Sequence, residues 1–595
     1  MDAAAAGPRP TPTINTDLVQ RLGGFTTLCE GLDYAAQGQT GMNFYGPRGL
    51  LEESMSYRNL RKRAIETAHR LLNAGVKPGD RVAVVAETGA DFITVFFGCQ
   101  YAGVIPCPLP YSMYIGGHDS YVNRVTGMLE SAHATAVVTT QDLEELVREA
   151  AQRAGIRKVW THGELGQFPS SGADLKPFGP QDVSYIQYSS GSTSSPKGVL
   201  ISQKAICANT MTTLRHGLKV VPTDRTFSWL PLYHDMGLVG FCLSPVMGQI
   251  SVDYLPTPAF ARRPALWLKL MSDNQCTVAY GPTFGYDLAA RRINGDAASL
   301  KLDQWRVAGI GGDMVRADVL KLFAETLSVA GFNPKAFLPS YGMAESTLGV
   351  SFTDPEAEIR VDVIDRAAMK ASREAIPSDA DCPDEVRHFV VCGKPLPGHR
   401  MRVVDEAGCE LGERRIGRIE ICGPSLMSGY YRNPEATAAI MREDGFMDTG
   451  DMGYWVNGEI VITGRAKDMI LHHGRNIWPQ DIEWAIERLE QVRDGDVAAF
   501  AMEGPNGEDR VTVLVQCRLR DFGAIEDLRK QVAAQVVRSI GIEADVVMVP
   551  PKSLPFTSSG KLSRAGSKAR YVSGEIAEIA GSFAGDRQAA SIAAE

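Results

Sequence analysis

Tyr188-Ser-Ser-Gly-Ser-Thr-Ser-Ser-Pro-Lys-Gly198 follows the β-rich run Ser184–Tyr188 and leads into the apolar Val199-Leu-Ile201. Two glycines, a run of hydroxyls and one lysine make a loop that can wrap phosphate oxygens with N–H and O–H donors. It is not a Walker A loop, because Pro196 precedes Lys197 and Gly198 follows it where Ser or Thr would stand. A solvated Ser/Gly linker does not belong between a strand and an apolar run. The stretch therefore reads as a phosphate-binding loop mounted on the strands of a layered α/β protein.

Strands and helices alternate on both sides of this loop. Arg81–Ala86, Ile105–Pro108 and Ala136–Thr139 read as strands, and Asp91–Tyr101 reads as a helix. That alternation predicts largely parallel sheets flanked by helices. From Met401 the pattern changes to short strands, Arg402–Val404, Gly417–Ile421 and Glu459–Ile462, between Gly- and Asn-rich turns, which predicts a small β-rich subdomain. After Gly464 a further unit follows. It has a helix over Gln480–Glu490, strands Asp496–Ala501 and Val511–Cys517, an amphipathic helix Ile525–Val537 and a strand Val546–Val549. The expected fold class is thus α/β: a large N-terminal domain over 1–464, then a small, mobile α+β C-terminal domain over 465–595.

Composition is that of a globular protein. Of 595 residues, 44% are hydrophobic and 22% charged, enough apolar material for more than one core. The formal net charge of −9 argues against a nucleic acid or an anionic membrane surface as partner. The 11 cysteines form no CxxC pair, so buried free thiols in a reducing cytoplasm are expected. Phe92 to Pro110 is uncharged and long enough to raise a membrane span. It contains Gln100, Gly98, Gly103 and three prolines, which suits a buried helix running into a buried strand, so no transmembrane segment is expected. The Ala/Pro-rich Met1–Pro12 reads as a disordered leader, and the Ala-rich end from Ala577 as a frayed helix or tail.

Further motifs lie along the chain: Leu230-Pro-Leu-Tyr-His-Asp-Met-Gly237, Tyr341-Gly-Met-Ala-Glu-Ser346, Asp448-Thr-Gly-Asp451, Gly464-Arg-Ala-Lys-Asp-Met-Ile470 and Thr557-Ser-Ser-Gly-Lys561. Together with the Ser/Gly loop, and in this order, they resemble the adenylate-forming superfamily of acyl-CoA synthetases, peptide-synthetase adenylation domains and luciferases. The resemblance implies that a carboxylic acid is activated with ATP to an acyl-AMP, with release of pyrophosphate.

That chemistry accounts for the residue types. The substrate carboxylate is already ionised at pH 7, with a reference pKa of ~4.3, so no general base is needed. The obstacle is an anion approaching a polyanion, which calls for cations and donors in fixed positions. By resemblance, Ser189, Ser190, Gly191, Ser192, Thr193 and Lys197 hold the phosphates. Lys561 bridges the carboxylate and α-phosphate oxygens from the C-terminal domain. Glu345, with Thr193, is the expected ligand of Mg²⁺, which draws charge from the leaving pyrophosphate. Asp451 is expected on the ribose hydroxyls with Arg465 beside it. Tyr341 is expected on the adenine face, within the nucleotide-binding run Tyr341-Gly342-Met343. Gly312 and Asp313 lie near adenine, although Gly309–Met314 departs from the usual Asn-Gly-Ala-Glu-Pro. His234 falls where the acyl pocket meets the carboxylate, and Lys467 is the implied hinge of the C-terminal domain.

Two features resemble one branch, the fatty-acyl-AMP ligases. Thr353–His388 is a long polar segment in a region where that branch carries an insertion that restrains the C-terminal domain. Its Ile359–Ile364 run reads as a strand, so the segment is expected to be ordered. Tyr233-His-Asp-Met-Gly237 and His473-Gly-Arg-Asn-Ile-Trp-Pro-Gln-Asp-Ile-Glu483 match the same branch in wording. The implied substrates are ATP and a long-chain fatty acid, and the implied acceptor is the phosphopantetheine thiol of an acyl carrier protein. A fatty acyl-CoA synthetase is the alternative. A non-catalytic acyl-nucleotide sensor and a luciferase-like oxygenase are the readings from other classes.

Overall fold

The computed structural model describes residues 8–111, 117–189, 197–293, 295–380, 382, 385–472, 475–503, 509–556 and 561–579. The predicted Ser184–Tyr188 strand is Val183–Ser189, which pairs antiparallel with Lys197–Ser202. The two strands flank the Ser/Gly loop, whose residues Ser190, Gly191, Ser192 and Thr193 lie outside the described residues. Ser202 ends the second strand and caps the next helix, its hydroxyl accepting from Ala205 N at 3.1 Å.

Arg81–Val85, Ile105–Pro108, Ala136–Thr139 and Val159–Thr161 form a four-stranded parallel sheet. The uncharged stretch after Asp91 is a helix, Ala90–Ala102, whose residues other than Asp91 are buried, followed by the strand Ile105–Pro108. Gly98 lets this helix close on Tyr57–Asn73, because a Cβ there would lie 2.8 Å from the Thr67 methyl.

The sheet that carries the site has nine strands. Its central strands, Phe337–Gly342, Val307–Ile310, Val278–Gly281, Arg225–Ser228, Ser251–Tyr254 and Gly41–Tyr45, run parallel, with antiparallel strands at both edges. Their carboxyl ends point to one side, the side on which open α/β sheets bind ligands. A four-stranded antiparallel sheet follows, built from Arg400–Val404, Gly417–Cys422, Met447–Val456 and Glu459–Arg465. The C-terminal unit packs Pro479–Glu487 and Phe522–Ile540 on Val497–Glu503, Asp509–Gln516 and Asp545–Val549, around Ile482, Ile486, Val513, Leu528 and Val532. The α/β class and the small second unit are as expected.

The segment after Thr353 is ordered over its described residues. Val361–Asp365 pairs antiparallel with Val386–Val390, and the helix Arg366–Ser372 lies between them in sequence. Ile364, Met369 and Phe389 join one apolar cluster with Tyr454 and Val461 of the antiparallel sheet and with Trp478 beyond it.

Two expectations need correction. The leader is anchored over its described part: Thr11 is buried, donates its N–H to Asn43 Oδ1 at 2.8 Å and accepts Arg225 Nη1 at 3.0 Å. Arg225 is itself buried against Asp253, so the backbone carbonyl of Thr11 supplies an acceptor the guanidinium needs. The cysteines are free thiols, but Cys382 and Cys409 are exposed. Among the described residues no helix is long and apolar enough to cross a membrane, and no cluster of three or more His, Cys, Asp or Glu could hold a metal.

Candidate active site

A cavity of about 880 Å³ opens at the carboxyl ends of the central strands and is closed on its far side by the C-terminal unit. Gly312 and Asp313 follow the strand Val307–Ile310, and Tyr341 and Gly342 end Phe337–Gly342. His234 lies in the turn after Arg225–Ser228. Met343 and Glu345 continue the same wall, and Lys197, Asp451, Arg465, Lys467 and Lys561 complete the lining. The predicted residues with described side chains are thus brought together. Ser189 is described only as strand backbone.

Register explains one pair. Asp451 and Arg465 are cross-strand partners in the antiparallel sheet, and Arg465 Nε donates to Asp451 Oδ1 at 3.1 Å. Tyr341, from the other sheet, donates its hydroxyl to Asp451 Oδ2 at 2.7 Å. Each carboxylate oxygen keeps a lone pair for a ligand. The Asp451 charge, against the cost of burial, raises the pKa of Arg465. Gly342 must be glycine, since a Cβ would lie 1.9 Å from the Leu348 carbonyl oxygen.

Tyr430 ties a second wall together. Its backbone pairs with Val199, just beyond the Ser/Gly loop, and its hydroxyl donates to Glu345 Oε1 at 2.8 Å. Lys197 Nζ lies 4.8 Å from the centre of its ring, within cation–π range. Burial pushes the Glu345 carboxyl up, opposed by the Tyr430 hydrogen bond. A cation arriving beside this carboxylate would relieve that cost.

Lys561 reaches the same cavity from the C-terminal unit. Burial lowers its pKa, the nearby charge of Asp313 raises it, and Arg465 lowers it again. Asp313 accepts Thr283 N–H at 3.0 Å, yet burial leaves its carboxyl raised. Burial would raise Asp235 too, but His234, with Nδ1 2.6 Å from Asp235 Oδ1, and Lys561 hold it below its ordinary value. Two anions therefore face the lysine and favour its charged form. Lys467 is exposed beside Arg465, and partial desolvation, with the Arg465 charge, lowers its pKa. Gly464, at φ 144°, leaves room for Trp478, whose ring would come within 2.8 Å of a Cβ.

Sequence reasoning missed Asp235 and Tyr430. The signal for Asp235 was its place beside His234. Tyr430 carries no local signal, because it enters through strand pairing.

The described residues thus offer a lysine beside the Ser/Gly loop, a carboxylate held by two donors, a buried carboxylate and a lysine delivered from the C-terminal unit. Residues 44–431 match the family model described as AMP-binding enzyme, and 474–566 match the AMP-binding enzyme C-terminal domain. The chain belongs to the AMP-binding enzyme family.

Its relatives include acyl-CoA synthetases and fatty-acyl-AMP ligases. A Caulobacter vibrioides protein carrying a provisional acyl-CoA synthetase name is 46% identical over 95% of this chain and 98% of its own length. A medium-chain-fatty-acid–[acyl-carrier-protein] ligase of Moorena producens is 31% identical over 93% and 96%. A long-chain-fatty-acid–AMP ligase of Mycolicibacterium smegmatis is 32% identical over 89% and 90%. Among solved structures, one from a study of fatty acyl-adenylate ligases of E. coli and L. pneumophila superposes with a TM-score of 0.89. It is 42% identical and covers 94% of this chain and 100% of its own. The protein is an adenylate-forming ligase that uses ATP.

Proposed function

We propose that this enzyme is a fatty-acyl-AMP ligase that hands its acyl group to the phosphopantetheine thiol of an acyl carrier protein and disfavours CoA. The observation that carries this reading is the bridge between the Thr353–His388 segment and the C-terminal unit. Arg387 Nε lies 3.0 Å from Asp481 Oδ1 with both side chains buried, and Arg366 Nη1 donates to Ser539 O at 3.2 Å. Thioester formation in the superfamily requires the C-terminal domain to rotate, here about Lys467, with the domain boundary proposed at 464/465. Contacts made only before rotation bias the enzyme against that step.

In adenylation, the fatty carboxylate attacks the α-phosphorus and the bond to pyrophosphate breaks. Lys561 neutralises charge shared by the carboxylate and α-phosphate oxygens. Lys197 and the Ser/Gly loop hold the phosphates, Asp451 and Arg465 orient the ribose, and Tyr341, Gly342, Met343, Gly312 and Asp313 border the base. His234 stands at the mouth of the acyl limb. Glu345 would hold Mg²⁺, which takes one or two carboxylates and otherwise phosphate oxygens and water, and which would withdraw charge from the leaving group.

The Caulobacter relative's name favours a second reading, acyl-CoA synthetase. One assay separates the two: ATP and a fatty acid, with CoA or with a phosphopantetheinylated carrier protein, and products read by mass spectrometry. Acyl-AMP and acyl-carrier product with little acyl-CoA are expected. Efficient acyl-CoA synthesis by the intact protein would move it to the second reading.

A further inference from the structure

Beyond His234 the cavity has an apolar limb. Val278 and Thr226 are register partners in adjacent parallel strands, and Tyr280 stands two residues nearer the carboxyl edge. The limb therefore runs back along the sheet, away from Gly311 and Gly312, walled by Leu214, Leu218, Phe241 and Ile250. Two π-helical turns, Thr213–Gly217 and Val239–Leu243, line it. Such turns are rare and recur at functional sites. The helix that ends at Thr212 packs against the second of them. Thr213 and Ser244 each stand one residue past a member of this packed pair, and both line the cavity.

Thr213 and Ser244 are 4% and 2% exposed, and their hydroxyl oxygens have no hydrogen-bond partner among the described residues. The neighbouring threonines behave differently: Thr210 and Thr212 donate to the carbonyls of Ile206 and Ala208, both at 2.9 Å. A helical threonine thus has an acceptor in reach one turn back, and Thr213 does not use it. For a plain alkyl chain, two unpaired hydroxyls would be a cost that Val and Ala would remove. A site that keeps buried polar groups discriminates for a substrate that pairs with them.

We propose that the acyl limb selects a fatty acid bearing an oxygen on its chain, a hydroxyl or oxo group, received by the hydroxyls of Thr213 and Ser244. Each hydroxyl can donate or accept, so either group is served. This inference rests on the fatty-acid reading of the cavity.

The test compares dodecanoate with its positional hydroxy isomers, measuring kcat/KM for acyl-AMP formation by pyrophosphate release, in the wild type and in Thr213→Val and Ser244→Ala. At least one isomer is expected to exceed dodecanoate about tenfold or more, and each variant is expected to bring that ratio towards one. A wild type that prefers dodecanoate to every isomer, its two hydroxyls then satisfied by water, overturns the inference. So do variants that leave a favourable ratio unchanged. If neither variant folds, the wild-type ratio alone decides. Absence of acyl-AMP from parent and isomers alike overturns the fatty-acid reading instead, and is told apart by the silent parent acid.

Discussion

Replacing Arg387 by Met removes the cation that holds the C-terminal unit to the inserted segment. The Arg387 and Asp481 side chains are 3% and 2% exposed, and the second Asp481 oxygen already lacks a partner among the described residues. Breaking a buried pair from one side typically costs about 3–5 kcal/mol, because the remaining charge is stranded. Here Asp481 sits in the first turn of Pro479–Glu487, where the positive end of the helix offsets part of that penalty. About 3 kcal/mol is the appropriate figure. Once the C-terminal unit rotates away, Asp481 meets water, so the cost falls on the packed arrangement alone. At about 1.36 kcal/mol per decade, the rotated population should rise about 10²-fold. The assay is twofold: acyl-CoA formed from ATP, fatty acid and CoA, and the interdomain distance by single-molecule energy transfer. Arg387→Met should gain acyl-CoA and show a second, longer distance. Adenylation should stay within a few-fold, because the cavity residues are untouched. A folded variant with wild-type distances and no added acyl-CoA would refute the reasoning.

Lys561→Ala should lower acyl-AMP formation by about 10²–10³ with little change in ATP binding by calorimetry, the loss of one charge-stabilising donor. An unchanged adenylation rate would remove the residue from the reaction. Asp451→Ala should weaken ATP binding by about 1.5–3 kcal/mol, since it deletes an anionic acceptor and leaves Tyr341 and Arg465 without theirs. Intact affinity in a folded variant would take Asp451 off the ribose. Burial raises the Glu487 carboxyl to about 8 at the junction of the two units, with Asp494 and Glu483 adding to the rise and Arg316, 3.8 Å away, opposing it. An acid whose pKa is raised on packing takes up a proton there. The packed arrangement should therefore be favoured most below the ordinary glutamate value and weaken as pH climbs to about 8. Glu487→Gln should flatten the interdomain distance against pH over that window, and an unaltered profile would count against it.

Much of the fold was legible because burial leaves a local trace. Val82–Val85, Ala136–Thr139 and Val546–Val549 are Val-rich runs buried on both faces, so their composition reveals them. The strand Met447–Val456 was missed. It carries Asp448-Thr-Gly-Asp451, whose Asp and Gly residues are depleted in strands, and only pairing with Gly417–Cys422 and Glu459–Arg465 makes it one. The anchoring of Thr11 was also invisible, because its partners Asn43 and Arg225 are remote in sequence.

By itself the sequence determined the family and the candidate side chains: the order of motifs, the lysines, Glu345 and Asp451, because the groups a reaction needs must be particular side chains and those are written locally. Tertiary structure decided how they act together. Tyr430 joins Lys197 to Glu345 through strand pairing, and Tyr341 locks Asp451 from another sheet. Arg387 finds Asp481 across a unit boundary. Electrostatic coupling depends on distance through space and on exclusion of water, and neither can be read along a chain until it has folded.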